Sequence, residues 1–480
     1  MDAPRLFAIR SFGCQMNAHD SEKIANLLHH DGWRSAPSPD AADLLVVNTC
    51  SIREKAEHRL YSDLGQLRVW KAAGPKRVLA VGGCVAQQEG DALLRRFDHV
   101  DVVFGTHNLR LVPTLVDAAR AGRRGARVEE SSSLERFDLP ERHPDYAGET
   151  PGRAYLTVME GCDLFCTFCI VPRTRGREIS RPADAIVAEA ESLAARAVRE
   201  IMLLGQTVNA YGRHDLRRGR GEAAGTVGFG ALLRRLARIP GIERIRYTSP
   251  HPVFFDDDLV AAHAELASLC PHVHLPLQSG SDRVLAAMRR RYDAAGYLDV
   301  VERLRAARPD LALTTDLIVG FPGESDADFE ATLAVVREVR FVDGFSFKYS
   351  PRPGTRAAEL ADPVPADVAQ ARLEALQGLL RDLTLAAHRA RVGTRTAILV
   401  EGESRRGSQV QGRDPWHRVV NAVGAGHAQP GDLLAVEIVE ATPHSLIAEP
   451  LPPAAEPEGL KVRSRTADEP GRTGIRSRWV

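Results

Sequence analysis

Cys162, Cys166 and Cys169 stand in the spacing C-x3-C-x2-C, and no other stretch restricts the chain as tightly. Soft thiolate sulfur selects zinc or an iron-sulfur cluster. A closed structural zinc site takes four protein ligands, and this loop supplies three. A 4Fe-4S cube held by three thiolates leaves one iron without a protein ligand, open to a small molecule. Two other readings stand beside that one: a zinc site completed by a distant ligand, and three core cysteines with no common task.

At 480 residues with 44% hydrophobic content, the chain has room for roughly three packed domains. The first thirty residues hold no uninterrupted apolar run, and 18 apolar residues never follow one another, so neither a signal peptide nor a membrane span is expected. A cytoplasmic location follows from that expectation. Seven cysteines in a reducing compartment argue for metal or redox use over a disulfide framework, with Cys270 left as a plain thiol. Basic and acidic residues number 63 each, so a nucleic-acid partner has to be met by local patches.

Residues 6 to 13 read as a buried strand running into Cys14, after which Asp20 and Ser21 can cap a helix carrying Ile24, Leu27 and Leu28. A second apolar run, residues 44 to 47, leads into Cys50, where Ser51 and Glu54 form a capping-box pattern. A third, residues 78 to 81, ends at Cys84, and a fourth spans residues 100 to 104. Alternating strand and helix predicts a parallel, helix-covered sheet whose ligands gather beyond the carboxyl ends of the strands. Cys14, Cys50 and Cys84 all fall at that edge. They could be ordinary thiols, or one disulfide and a spare. Converging near helix amino termini, they would form a second cluster site with an open iron.

Residues 121 to 152 turn polar and charged and are read as a linker between an N-terminal domain (1 to 120) and a second domain (153 to 380). There, candidate strands at 154–159, 201–205, 244–249, 272–277, 311–320 and 344–349 alternate with helical patterns near 183–197, 230–238, 256–268, 281–307 and 326–338. This (βα)6 pattern predicts a partial barrel with the cysteine loop on its carboxyl face. Phe168 precedes the third cysteine, and Gly205, Gln206, Gln278 and Gly280 follow strands, where they could line a cofactor site or simply make turns. His272 and His274 share one strand face but read as core or cofactor contacts before metal ligands. Arg289, Arg290 and Arg291, with Arg173, Arg175 and Arg177, could offer a phosphate-binding surface or a merely solvated face.

After a helix ending near residue 391, four short alternating strands (396–400, 418–423, 433–439 and 445–448) predict a small all-β barrel over residues 383 to 449. Such barrels often bind RNA, though this one could equally be a stabilising accessory. Residues 450 to 480, rich in proline, arginine and glycine, are expected to be disordered. The fold class is therefore α/β and multidomain: a parallel N-terminal domain, a (βα)6 partial barrel and a small C-terminal β-barrel.

The cysteine loop with Phe168 resembles the signature of the radical S-adenosylmethionine (SAM) superfamily. With three further cysteines upstream and a terminal barrel, residues 5 to 448 resemble the methylthiotransferases of that superfamily. The stretches FGCQMNAHDSE, VVNTCSIREKAE, GGCVAQ, CTFCIVPRTRGREISRP and FSFKYSPRPGTRAA are similar to its tRNA-modifying MiaB branch. Asp163 stands where that family usually has asparagine, and Arg173 where an aromatic is common. The resemblance implies a radical SAM core and a terminal TRAM domain. It also implies a SAM-binding 4Fe-4S cluster on Cys162, Cys166 and Cys169, and an auxiliary 4Fe-4S cluster on Cys14, Cys50 and Cys84 that carries sulfur. The implied reaction is methylthiolation at C2 of isopentenyl-adenosine next to the anticodon of tRNA, through a 5′-deoxyadenosyl radical. Implied partners are tRNA, a flavodoxin- or ferredoxin-like electron donor and sulfur or cluster supply proteins, with the enzyme a monomer. Methylthiolation of a ribosomal-protein aspartate or of threonylcarbamoyl-adenosine uses the same two triads and is the alternative chemistry. An RNA-binding iron-sulfur sensor is the alternative without catalysis.

Overall fold

The computed structural model describes residues 4–51, 54–144, 150–404, 407 and 409–452. The tail expected to be disordered falls outside the described residues from 453 onward, as does the side chain of Glu54 on which the capping-box pattern with Ser51 depends.

Six strands form the first sheet: β1 (Leu6–Phe12), β2 (Arg34–Ser35), β3 (Leu44–Thr49), β4 (Val78–Gly83), β5 (Val102–Phe104) and β6 (Gly125–Arg127). They pair in parallel in the order β2-β1-β3-β4-β5-β6. Every residue of β3 and β4 is buried, as a parallel sheet with two covered faces demands. Leu45, Val47, Leu79 and Val81 pack with Leu60, Leu64 and Trp70 on one face; Leu44, Val46, Val78 and Ala80 pack with Ile24, Leu28 and Trp33 on the other. β2 and β3 lie on opposite sides of β1, which opens a crevice beyond the carboxyl ends at that switch point. Helix α1 (Gln15–His30) starts with Cys14 at its N-cap, earlier than the cap expected at Asp20 and Ser21. The sheet also takes its sixth strand from the stretch read as linker.

The second unit carries β7 (Arg153–Thr157), β8 (Met159–Glu160), β9 (Ile179–Ser180), β10 (Glu200–Leu204), β11 (Arg244–Tyr247), β12 (His272–His274), β13 (Ala312–Val319) and β14 (Asp343–Lys348). Two parallel triplets, β7-β10-β11 and β12-β13-β14, supply the six expected strands. Ile245 joins them at the seam, its N–H donating to Ser268 O at 2.8 Å and its carbonyl accepting from Cys270 N at 3.0 Å. The short β8 and β9 pair antiparallel and pin both ends of the cysteine loop. One expectation is corrected: the helix read over 281–307 is two helices, Asp282–Ala287 and Ala294–Ala307. Asp293 caps the second through Gly296 N, so the chain restarts where apolar periodicity alone looked continuous.

Beyond the helix Ala366–Arg389 lie β15 (Arg395–Glu403), β16 (Gln409–Arg413), β17 (Val419–Val423), β18 (Leu433–Ala441) and β19 (Leu446–Pro450), closed in the order β15-β16-β17-β19-β18. The barrel has five strands where four were expected. The missed β16 reads QVQGR, and Val410 is its single buried apolar side chain, too little to show a strand period. The barrel docks at the amino ends of the parallel strands. Arg244 donates to Ala397 O at 2.7 Å, Arg246 to Asp414 O at 2.7 Å, and Arg153 pairs with Glu401 at 2.7 Å. Among the described residues no helix is long and apolar enough to cross a membrane.

Buried charges join the first sheet to the partial barrel. Arg175, in the later part of the cysteine loop, bonds Asp20 of α1 at 2.6 Å with both side chains buried. Glu160 pairs with Lys23 at 3.4 Å and with Arg136 at 3.1 Å. Burial pushes the Glu160 carboxyl up, but Lys23, Arg136 and Arg175 outweigh it and hold it at about 2. A carboxyl depressed from an ordinary 4.5 stabilises the fold above that pH, and the gain disappears as pH falls towards 2. Glu160→Gln should therefore cost about 3 kcal/mol at pH 7 by leaving buried cations unpaired, with the difference closing below about pH 4.5. Denaturant midpoints of both proteins across that range test it; a gap that persists at low pH contradicts the ionic origin.

Candidate functional site

Gly161 enters the cysteine loop at φ +81°, and a Cβ there would lie 2.0 Å from Arg177 O, so only glycine lets the loop close on itself. Gln206 Oε1 accepts from Gly161 N at 2.6 Å and holds this turn against the end of β10. Cys162 and Cys166 are buried and Cys169 is half-buried. Thr207 Oγ1 lies 3.1 Å from Cys162 Sγ, and the buried Arg290 donates to Cys166 Sγ at 3.4 Å. Thr167 fastens the loop to the neighbouring helix end, donating from N to Met288 O at 3.1 Å and from Oγ1 to Ala287 O at 2.9 Å. Burial pushes the Cys162 thiol up; burial with the charges of Cys166 and Cys162 pushes Cys169 up to about 12.

At the switch point of the first sheet, Cys14, Cys50 and Cys84 converge, with the Cys50 thiol in hydrogen-bonding reach of both others. Gly13, at φ +131°, makes this possible: a Cβ would stand 2.2 Å from Cys50 Cβ. Behind the sulfurs, Asn48 Nδ2 donates to Asn17 O at 2.8 Å and to Ser21 Oγ at 2.9 Å, and Cys14 Sγ donates to Asn17 Oδ1 at 3.2 Å. The hydrogen bond from Cys50 lowers Cys14 to about 7 and Cys84 to about 6, with burial opposing and the Arg175 charge assisting. The same sharing raises Cys50. Arg175 thus belongs to the loop of one triad and bears electrostatically on the other.

The donor sets fit two three-thiolate clusters. Each offers three thiols and a nearby arginine to offset negative charge. Among the described residues no three His, Cys, Asp or Glu side chains are arranged to hold a single metal ion, and a four-iron cube does not ask for that, since each thiolate takes a different iron. His272 and His274 bond Thr314 Oγ1, both at 3.1 Å, and His274 also meets Asp316 at 3.2 Å.

The other expected site residues spread over the carboxyl ends of the strands. Phe168 packs between the loop and the apolar group of Val284, Met288 and Phe321. Gln278, at φ +69°, exchanges backbone hydrogen bonds with β13. Gly205 and Gly280 have packing reasons of their own: a Cβ would meet Met159 Cγ at 2.6 Å and Ala331 O at 2.6 Å respectively. The arginines divide. Arg175 and Arg290 are buried, which corrects their reading as surface phosphate contacts, whereas Arg173, Arg177, Arg289 and Arg291 are exposed. Arg177 pairs with Asp163 at 2.6 Å. Sequence reasoning missed Thr207, and it missed that Asp20 and Arg175 form a buried pair. Nothing in their local pattern distinguishes a long-range ion pair from surface charge.

A family model for the radical SAM superfamily matches residues 156–336, one for the uncharacterized protein family UPF0004 matches residues 6–105, and one for the TRAM domain matches residues 389–451. In fold the chain is similar to a radical SAM methyltransferase, TsrM from Kitasatospora setae, with cobalamin and a [4Fe-4S] cluster bound. The TM-score is 0.54 at 14% identity, covering 74% of each chain. The chain is thus a radical SAM enzyme with a UPF0004 domain before the core and a TRAM barrel after it. It is 48% identical to the tRNA-2-methylthio-N(6)-dimethylallyladenosine synthase of Geobacter metallireducens over 449 residues, 94% of this chain and 99% of that one. Identity is 49% to the synthase of Acidithiobacillus ferrooxidans, over 91% and 95% of the two chains, and 46% to that of Nocardia farcinica, over 94% and 90%. The chain belongs to the family of tRNA-2-methylthio-N(6)-dimethylallyladenosine synthases.

Two partly accessible thiols allow a direct check on the environments. Thiolate is the reactive form. In metal-free protein at pH 8, Cys14 should be alkylated at least roughly 100-fold faster than Cys169, because the one is mostly ionised and the other almost wholly protonated. Peptide mass spectrometry after timed iodoacetamide treatment reads the order, and equal rates contradict it.

Proposed function

We propose that the protein methylthiolates C2 of N(6)-dimethylallyladenosine next to the anticodon of tRNA, using SAM and two 4Fe-4S clusters. The observation that carries this is the joining of both cysteine triads through Arg175, in a chain whose relatives bear the name of that synthase. Activating an unreactive aromatic C–H bond needs one-electron chemistry and a sulfur source, which a SAM-bound cluster on Cys162, Cys166 and Cys169 and an auxiliary cluster on Cys14, Cys50 and Cys84 supply when bound.

The chain's own residues do the positioning. Thr207 and Arg290 set the sulfurs of Cys162 and Cys166, and Gln206 holds the entry turn, so the loop is fixed before any ligand arrives. SAM would lie between this loop and the strand ends at Gly205, Gln206, Gln278 and Gly280, with Phe168 closing the apolar side. Arg175 and Asp20 lock the auxiliary triad against the loop. An unstacked anticodon base can be splayed into such a crevice, with the five-stranded barrel holding RNA elsewhere. An external electron donor and sulfur supply proteins complete the reading of a monomeric, cytoplasmic enzyme.

Purified cluster-loaded protein, SAM, dithionite and tRNA bearing the isopentenyl nucleoside provide the test. Cys162→Ala should lower SAM cleavage more than roughly 100-fold, beyond the loss typical of an outer-shell partner, and abolish product. Cys14→Ala should retain SAM cleavage while nucleoside mass spectrometry finds no methylthio product. Methylthio product from Cys14→Ala, or an unmodified isopentenyl nucleoside with the unsubstituted enzyme, would overturn the assignment.

A further inference from the structure

One depression of about 720 Å³ is lined by Leu164, Phe165, Ala286, Arg289, Arg291 and Arg356. Leu164 and Phe165 are residues between Cys162 and Cys166, so its floor is the outer surface of the cysteine loop itself. Phe165 is 45% exposed, an unusual place for a large aromatic side chain, and the Arg177 guanidinium lies 5.4 Å from its ring. Arg289, Arg291 and Arg356 are exposed, and among the described residues no salt bridge engages any of them.

The backbone is built for this display. Phe165, Arg289 and Arg291 hold φ of +51°, +57° and +60°, so three of the nine non-glycine residues with positive φ among those described meet here. Left-handed backbone is costly for such side chains and collects where function maintains it. At residues 289 to 291 the strained conformations turn Arg289 and Arg291 to solvent and Arg290 inward, where it donates to Cys166 Sγ.

We propose that this depression docks an acidic protein that carries one electron to the Cys162, Cys166 and Cys169 site. The proposal rests on the reading of that triad as a SAM-cleaving cluster site. An exposed aromatic ringed by unpaired arginines is the composition of a protein-binding hot spot, and its charge complements an acidic carrier. In the transfer the carrier is oxidised by one electron and the triad's site reduced by one; no bond to the protein forms or breaks. Position decides against the tRNA substrate as occupant. In the proposed reaction the substrate base would lie between the two triads, and the loop meets the first sheet through its later part: Thr174 O accepts from Thr106 Oγ1 at 2.5 Å, and Arg175 pairs with Asp20. The depression lies on a different flank, where Thr167 bonds Ala287 and Met288.

The test uses cluster-loaded full-length protein and oxidised flavodoxin as the probe, with affinity read from flavin fluorescence. The triple variant R289E/R291E/R356E should bind flavodoxin at least roughly tenfold more weakly at low ionic strength, and the difference should shrink in high salt. Its iron content and dithionite-driven SAM cleavage should match the unsubstituted protein. If the triple variant loses iron, Arg356→Gln alone should still weaken binding about two- to threefold with the same salt dependence. Unchanged flavodoxin affinity overturns the proposal. So does a loss of tRNA affinity with flavodoxin binding intact, which would make the patch an RNA surface. Absence of dithionite-driven cleavage in the unsubstituted protein strikes the functional reading itself, and the docking proposal with it.

Discussion

The arrangement depends on a small set of charges that have been taken out of water. Arg175 and Asp20 are both buried, and Glu160 is buried between Lys23 and Arg136. An ion in such a place costs several kcal/mol unless paired with good geometry, so these groups tolerate few relative positions of the two α/β units. Apolar packing alone would leave the units free to slide. Charges that must find one another fix which strand ends face which.

That constraint matters because the two triads need opposite things. The loop triad sits in an apolar pocket that pushes the Cys162 and Cys169 thiols up, whereas Cys14 and Cys84 lie where a shared hydrogen bond from Cys50 and the Arg175 charge bring them down. Metal binding requires thiolate, so the loop site gains most from the metal's own charge and from Arg290 beside Cys166. The TRAM barrel is set at the amino ends of the strands, away from this chemistry, on Arg153, Arg244 and Arg246. In the proposed reaction, RNA held there and a base delivered to the crevice would make a substrate that spans the enzyme.

Much of this was legible in the sequence, for identifiable reasons. Parallel strands buried on both faces leave continuous apolar runs, and the candidate site residues come just after them, so Cys14, Cys50, Cys84 and the loop cysteines could be placed at the carboxyl edge from pattern alone. What escaped was long-range or polar. The strand Gln409–Arg413 has too few apolar residues to show its period. The break between Ala287 and Ala294 hides inside a helical pattern, because its cause is a cap at Asp293 and left-handed backbone at Arg289 and Arg291. Arg175 and Arg290 looked like their neighbours in sequence, and only the fold separates a buried guanidinium beside a thiol from one in solvent.

The central claim is that two independent clusters are held on two separately positioned triads. Iron analysis with Mössbauer spectroscopy of anaerobically loaded protein addresses it most directly. The unsubstituted chain should hold about eight irons, and alanine replacement of either triad about four, with one cluster signal remaining each time. An unsubstituted chain that holds only four, or a triad variant that loses all its iron, would contradict the account.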